Sequence, residues 1–166
     1  MQLNYEPASD GRLINQSAIY HVESKYSNHE LEDMFYELKA NVCDLNPALI
    51  TKCITGTEQD FIMLMNRAKD YMERQFTGIS DVKRKSLLDM LSDCVFGYYV
   101  LTPLILSKDV SDIKVLDYNH IVVKANGDRY LTDVSFSSEE DYRTWYDRIL
   151  RIHRLGKAEE FALGHC

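Results

Sequence analysis

The sequence predicts an α+β protein: a helical N-terminal lobe of about three helices, then a small three-stranded antiparallel meander covered by a helix. Three observations carry this prediction. Apolar residues recur every three or four positions between residues 29 and 98. The pattern changes after Pro103 to short alternating runs broken by an Asn-Gly pair. Helical spacing then returns after Ser137.

Residues 1–28 read as a polar extension. Within it, Arg12-Leu13-Ile14 and Ala18-Ile19-Tyr20-His21-Val22 have the character of a short strand or a loosely docked segment. The helical lobe, residues 29–105, opens at Ser27-Asn28-His29-Glu30. This spacing lets Ser27 accept a backbone N–H while Glu30 reaches back. Leu31, Met34, Phe35, Leu38 and Val42 line one face, and Asn46-Pro47 ends the helix because a residue before proline avoids helical geometry.

A second helix starts near Thr57, with Asp60 three positions on. Phe61, Leu64, Met65, Ala68, Met72 and Phe76 form its stripe, and Thr77-Gly78 stops it. The third begins after Ser80 and presents Val82, Leu87, Leu88, Leu91, Val95 and Tyr98. No Gly/Ser linker separates this lobe from the C-terminal strands, so the two parts are expected to pack together.

Residues 106–166 form the small α/β lobe. Ile113 and Val115 alternate with polar neighbours, and Ile121-Val122-Val123 makes a second strand. Asn126-Gly127 suits a tight hairpin, and Tyr130-Leu131-Thr132-Asp133-Val134 returns from it. Ser137 and Glu140 repeat the capping-box spacing before a helix with Tyr142, Trp145, Ile149 and Ile152 on one face. Gly156 supplies its stop.

Composition narrows the function classes. The 166 residues are 45% hydrophobic, enough for a core without staples. A balance of 19 basic against 26 acidic residues argues against general affinity for nucleic acid. No apolar run approaches the roughly 20 residues of a transmembrane helix, and no basic-then-apolar leader opens the chain, so a cytoplasmic location is expected. The cysteines at 43, 53, 94 and 166 match neither zinc nor dithiol spacing. The five histidines are scattered, and His165-Cys166 falls short of a four-ligand site, so no metal is expected.

Neither a Gly-x-x-x-x-Gly-Lys-Ser/Thr loop nor a Gly-x-Gly-x-x-Gly turn is present, so the chain alone has no means of cradling a triphosphate. No serine or cysteine sits in a nucleophile elbow. No catalytic or cofactor-binding residue is therefore assigned, and a small hydrolase is kept only because triads assemble from distant positions. Two basic clusters stand out: Lys83-Arg84-Lys85, and Arg148, Arg151 and Arg154 at intervals of three, with Lys157 beyond. Cations at the end of a helix complement its dipole; the alternative is a surface for phosphate or an acidic partner.

The stretch from Leu87 to Leu150 resembles the N-terminal domain of type II/IV secretion traffic ATPases, in the tight-adherence pilus branch and its conjugative-transfer relatives. The resemblance runs through Gly97 and Leu101-Thr102-Pro103-Leu104, then Val110-Ser111-Asp112-Ile113-Lys114-Val115. It continues through Ile121-Val122-Val123-Lys124-Ala125-Asn126-Gly127, Leu131-Thr132-Asp133-Val134-Ser135-Phe136 and Arg148-Ile149. The chain departs from the family in the first turn, where Tyr98-Tyr99-Val100 stands in place of further glycine. The P-loop, acidic boxes and histidine box that lie downstream of this domain in the family are absent.

The resemblance implies a non-catalytic domain of a hexameric motor at the cytoplasmic face of the inner membrane. Its partners would be neighbouring subunits of a homo-oligomeric ring and inner-membrane secretion components, with ATP and Mg only in the full motor. Arg148, Arg151 and Arg154 become candidates for an intersubunit or phosphate-facing surface. The alternative is a stand-alone adaptor without nucleotide chemistry.

Overall fold

The computed structural model describes residues 5–7 and 13–154. It is an α+β fold in which five helices of the first two thirds pack against a mixed sheet and a sixth helix. Helix α1 spans His29–Lys39 and widens into a π turn over Ala40–Asp44. Helix α2 (Pro47–Thr55) comes next, then α3 (Glu58–Gln75), α4 (Asp81–Phe96) and the short α5 (Thr102–Leu106). Strands β3 (Val110–Asp117), β4 (His120–Ala125) and β5 (Asp128–Thr132) precede α6 (Glu139–Arg154).

The expected meander is present, and two N-terminal strands extend it. Strand β1 (Tyr5–Pro7) pairs antiparallel with β2 (Leu13–Tyr20), and β2 lies parallel to β5. The order across the sheet is β1-β2-β5-β4-β3. Part of the polar extension is thus a strand of the sheet. Its apolar segments are too short for periodicity to reveal a distant partner. The hairpin tip behaves as expected: Asn126 and Gly127 take φ of 51° and 91°, and Ala125 pairs with Asp128.

Helix starts reflect local competition among capping groups. Thr57 and Asp60 form the reciprocal box expected of them, and Ser80 accepts from the Lys83 N–H. Ser27 does not cap α1. It lies in a 3-10 turn, and Asn28 supplies the cap, its Oδ1 accepting from the Glu30 N–H at 3.1 Å. Glu30 turns instead to Lys83, 2.9 Å away. Likewise Ser138, not Ser137, accepts from the Asp141 N–H to open α6. In both places two short polar residues stand together, and spacing alone does not choose between them. Pro47 ends the first helix and also begins the next, occupying the one position where its missing N–H costs nothing.

One apolar core runs from Leu31 on α1 to Ile152 on α6, with Leu87, Met90, Leu91, Cys94 and Val95 of α4 buried in it. Val82, expected on the inner face, is 76% exposed, because it lies in the first turn of α4, before the buried stretch begins. Rings join the helices to the C-terminal part: Tyr26 to Tyr99 (5.1 Å between centroids), Tyr99 to Phe136 (5.7 Å) and Phe136 to Trp145 (5.3 Å). Tyr99, fully buried, takes φ of 55° in the turn after α4. That left-handed conformation costs a side-chain-bearing residue about 1–2 kcal/mol relative to the right-handed one.

Candidate functional site

The π turn at the end of α1 sets the geometry of a buried polar network. By adding residues to the turn it brings Asp44, five positions on, back beside Lys39. Lys39 Nζ donates to both Asp44 oxygens, at 3.1 and 3.0 Å. It also lies 3.1 Å from Asp141 Oδ1, at the start of α6. The other oxygen of Asp141 accepts from the Tyr99 hydroxyl (3.1 Å), the Ser137 hydroxyl (2.9 Å) and the Ser137 N–H (3.2 Å). An ion pair this far from water is tolerated because almost every donor and lone pair is used.

A cleft of about 500 Å³ opens beside this network, between α2 and α6, with Lys39, Ser137, Asp141, Arg148 and Arg151 among its lining. Burial alone would lower the Lys39 pKa, but Cys94, Asp141 and Asp44 outweigh it and hold the ammonium above its ordinary value. A lysine so charged is a fixed cation and a poor nucleophile. The thiols nearby are no more reactive. Burial raises Cys43, and it pushes Cys94 up to about 11 against the opposing pull of Arg148 and Lys39.

The three arginines do not share one surface. Arg148 is 8% exposed, and its Nη1 donates to the Cys94 carbonyl at 2.7 Å. That carbonyl belongs to the last turn of α4, where no intrahelical donor is available. Arg148 therefore ties α6 to α4. Arg151 is exposed at the cleft rim, with Nη1 3.4 Å from Thr51 Oγ1, and Arg154 is exposed at the end of the helix. Lys83, Arg84 and Lys85 each face a carboxylate, from Glu30, Glu73 and Asp89 respectively, so this cluster is internally balanced.

The buried Lys39–Asp141–Tyr99 network escapes a reading of the sequence. Its one signal is a lysine directly after Leu38 on the apolar side of α1, which looks like an ordinary helix-end cation. A second groove, about 570 Å³, lies between the Val22–Tyr26 segment and α4–α5. There Asp93 accepts from the Tyr26 hydroxyl (2.9 Å) and the Thr102 hydroxyl (2.8 Å), and burial raises its pKa.

Among the described residues, no group of three or more His, Cys, Asp or Glu converges on a metal position. No single described helix is long and apolar enough to cross a membrane. Neither the known protein-family models nor the curated proteins give a match to this chain.

Proposed function

We propose that this chain is the non-catalytic N-terminal domain of a secretion or pilus-assembly ATPase. Its work would be subunit assembly, partner docking and closure of the nucleotide cleft in the full motor, at the cytoplasmic face of an inner membrane. One observation carries the reading. The order α4, proline turn, β3–β4–β5 with a glycine-tipped hairpin, then α6 coincides with the order of motifs from Leu87 to Leu150 that resembles that family. The lack of a phosphate-binding loop agrees with a domain that assists a motor supplied from elsewhere in the protein. Within this reading Arg151 and Arg154 are the solvent-facing contacts, and Arg148 holds α6 in place beneath them.

The test is the size and activity of the native gene product, detected in source cells with an antibody against these residues. The expected result is a band far larger than 19.3 kDa that purifies as an ATP-hydrolysing ring. Charge reversal of Arg151 and Arg154 together should then lower assembly or turnover. A native product of 19.3 kDa that captures a protein partner without nucleotide would replace the proposal with a stand-alone adaptor.

A further inference from the structure

Strand β3 is the outer strand of the sheet; among the described residues it pairs with β4 alone. Such an edge presents unpaired backbone donors and acceptors, and natural sheets often interrupt it with bulges. Here the ladder slips between Val110 and Asp112 and again between Val115 and Asp117. Between the two irregularities lies a regular stretch of four residues, Asp112-Ile113-Lys114-Val115.

The hairpin register shows which backbone groups of that stretch face outward. Ala125 and Asp128 close the two-residue turn as a hydrogen-bonded pair, so alternate residues of β4 direct their backbone groups to β5. Lys124 and Val122 then direct theirs to β3. Consistent with this, the Lys124 carbonyl accepts from the Ser111 hydroxyl at 3.2 Å. Their partners on β3 are Asp112 and Lys114. The N–H and C=O of Ile113 and Val115 consequently point away from the sheet.

We infer that this edge pairs with the same edge of a second copy, antiparallel and centred on Ile113. Charge selects that occupant and that register. With Ile113 opposite its own counterpart, Asp112 of each chain, which also lies 3.8 Å from Arg129 Nη2 of its own chain, stands opposite Lys114 of the other, giving two opposite-charge cross-strand contacts. Centring on Lys114 would set two ammonium groups together, and parallel in-register pairing would align like charges throughout. Ile113 is also a residue whose backbone groups point outward, so the central pair can exchange both of its hydrogen bonds. The side chains of Ile113 and Val115 already pack on the core, which holds the strand in place before pairing. Only the three residues 112–114 of each copy pair regularly in this register, so the contact is small and the dimer is weak and concentration-dependent. A two-fold contact of this kind is separate from the head-to-tail contacts that close a ring.

Sedimentation equilibrium on the full 166-residue chain tests the inference, together with Lys114→Asp, Asp112→Lys and the Asp112→Lys/Lys114→Asp double variant. The wild type should dimerise, and each single variant should associate about tenfold or more weakly. An equimolar mixture of the two single variants should regain a heterodimer, since acidic and basic edges then face each other. The double variant should dimerise with itself. Amide exchange supplies the second measurement: the Ile113 N–H should become protected as wild-type concentration rises. A wild type that stays monomeric at millimolar concentration overturns the inference. So does a dimer indifferent to these substitutions, or one that leaves the Ile113 amide unprotected; either would place self-association on another surface.

Discussion

Lys39 and Asp141 come from helices about a hundred residues apart in sequence, yet their charged atoms lie 3.1 Å from each other with less than a tenth of either side chain exposed. The pair joins the end of α1 to the start of α6 through the interior of the protein. Tyr99, bonded to the same carboxylate, adds the turn after α4 to the junction. Truncating Lys39 leaves the buried Asp141 carboxylate with only the neutral donors of Tyr99 and Ser137, and truncating Asp141 leaves the buried Lys39 with Asp44 alone. Lys39→Ala or Asp141→Ala should therefore cost about 3–5 kcal/mol. Urea denaturation measures this, and the double variant should cost less than the sum of the two single changes.

Arg148 and Arg151 provide a contrast on one helix. Arg148→Ala removes a charged donor from the Cys94 carbonyl and should destabilise by about 2–3 kcal/mol. Arg151→Ala, at an exposed position, should change stability by no more than about 0.5 kcal/mol. Thermal melts of the two variants distinguish an interior strut from a surface cation. Equal effects would refute the assignment.

Gly97 fits its place because a Cβ there would lie 2.2 Å from Asp93 Oδ1 and 2.9 Å from the Asp93 carbonyl. Gly97→Ala must displace a carboxylate that also holds Tyr26 and Thr102, at about 1–3 kcal/mol. Gly78→Ala meets no atom within 4 Å and suffers only from its φ of 81°, about 1 kcal/mol. Chemical denaturation should rank Gly97→Ala as the more destabilising of the two.

His21 bonds to Asp133 across the β2–β5 junction, and that bond raises the imidazole pKa above its ordinary 6.5. A folded-state pKa above the unfolded value means the protonated ring favours folding. The contribution is complete below about pH 6.5 and disappears as pH rises through the folded pKa. His21→Gln should flatten this part of the stability profile, read as melting temperature between about pH 5.5 and 8.5. A profile unchanged by the substitution would show that the contact carries no linkage.

The long elements are legible in the sequence because each combines a sustained period with a boundary signal: α3 with Thr77-Gly78 at its end, α4 with Ser80 at its start, the β4–β5 hairpin with Asn126-Gly127. Legibility fails wherever the decisive partner lies far away. The parallel pairing of Ile19 with Leu131 leaves no local trace, and neither does the burial of Lys39 by a carboxylate from α6. Helix α2 is hidden because its nine residues start on a proline that reads first as a stop. The arginine spacing is visible, but it does not tell that Arg148 turns inward to a carbonyl of α4.

The place of β2 in the sheet also sets a schedule for the growing chain. Its parallel partner β5 ends at Thr132, more than a hundred residues later, so the ribosome delivers β2, with only the short β1 beside it, long before β5 exists for it to join. At about 5–20 residues per second, that wait lasts on the order of 5–25 seconds. Helices α1 to α4 can condense meanwhile, because their contacts are closer in sequence. The β2–β5 seam closes late, around a strand that was made early.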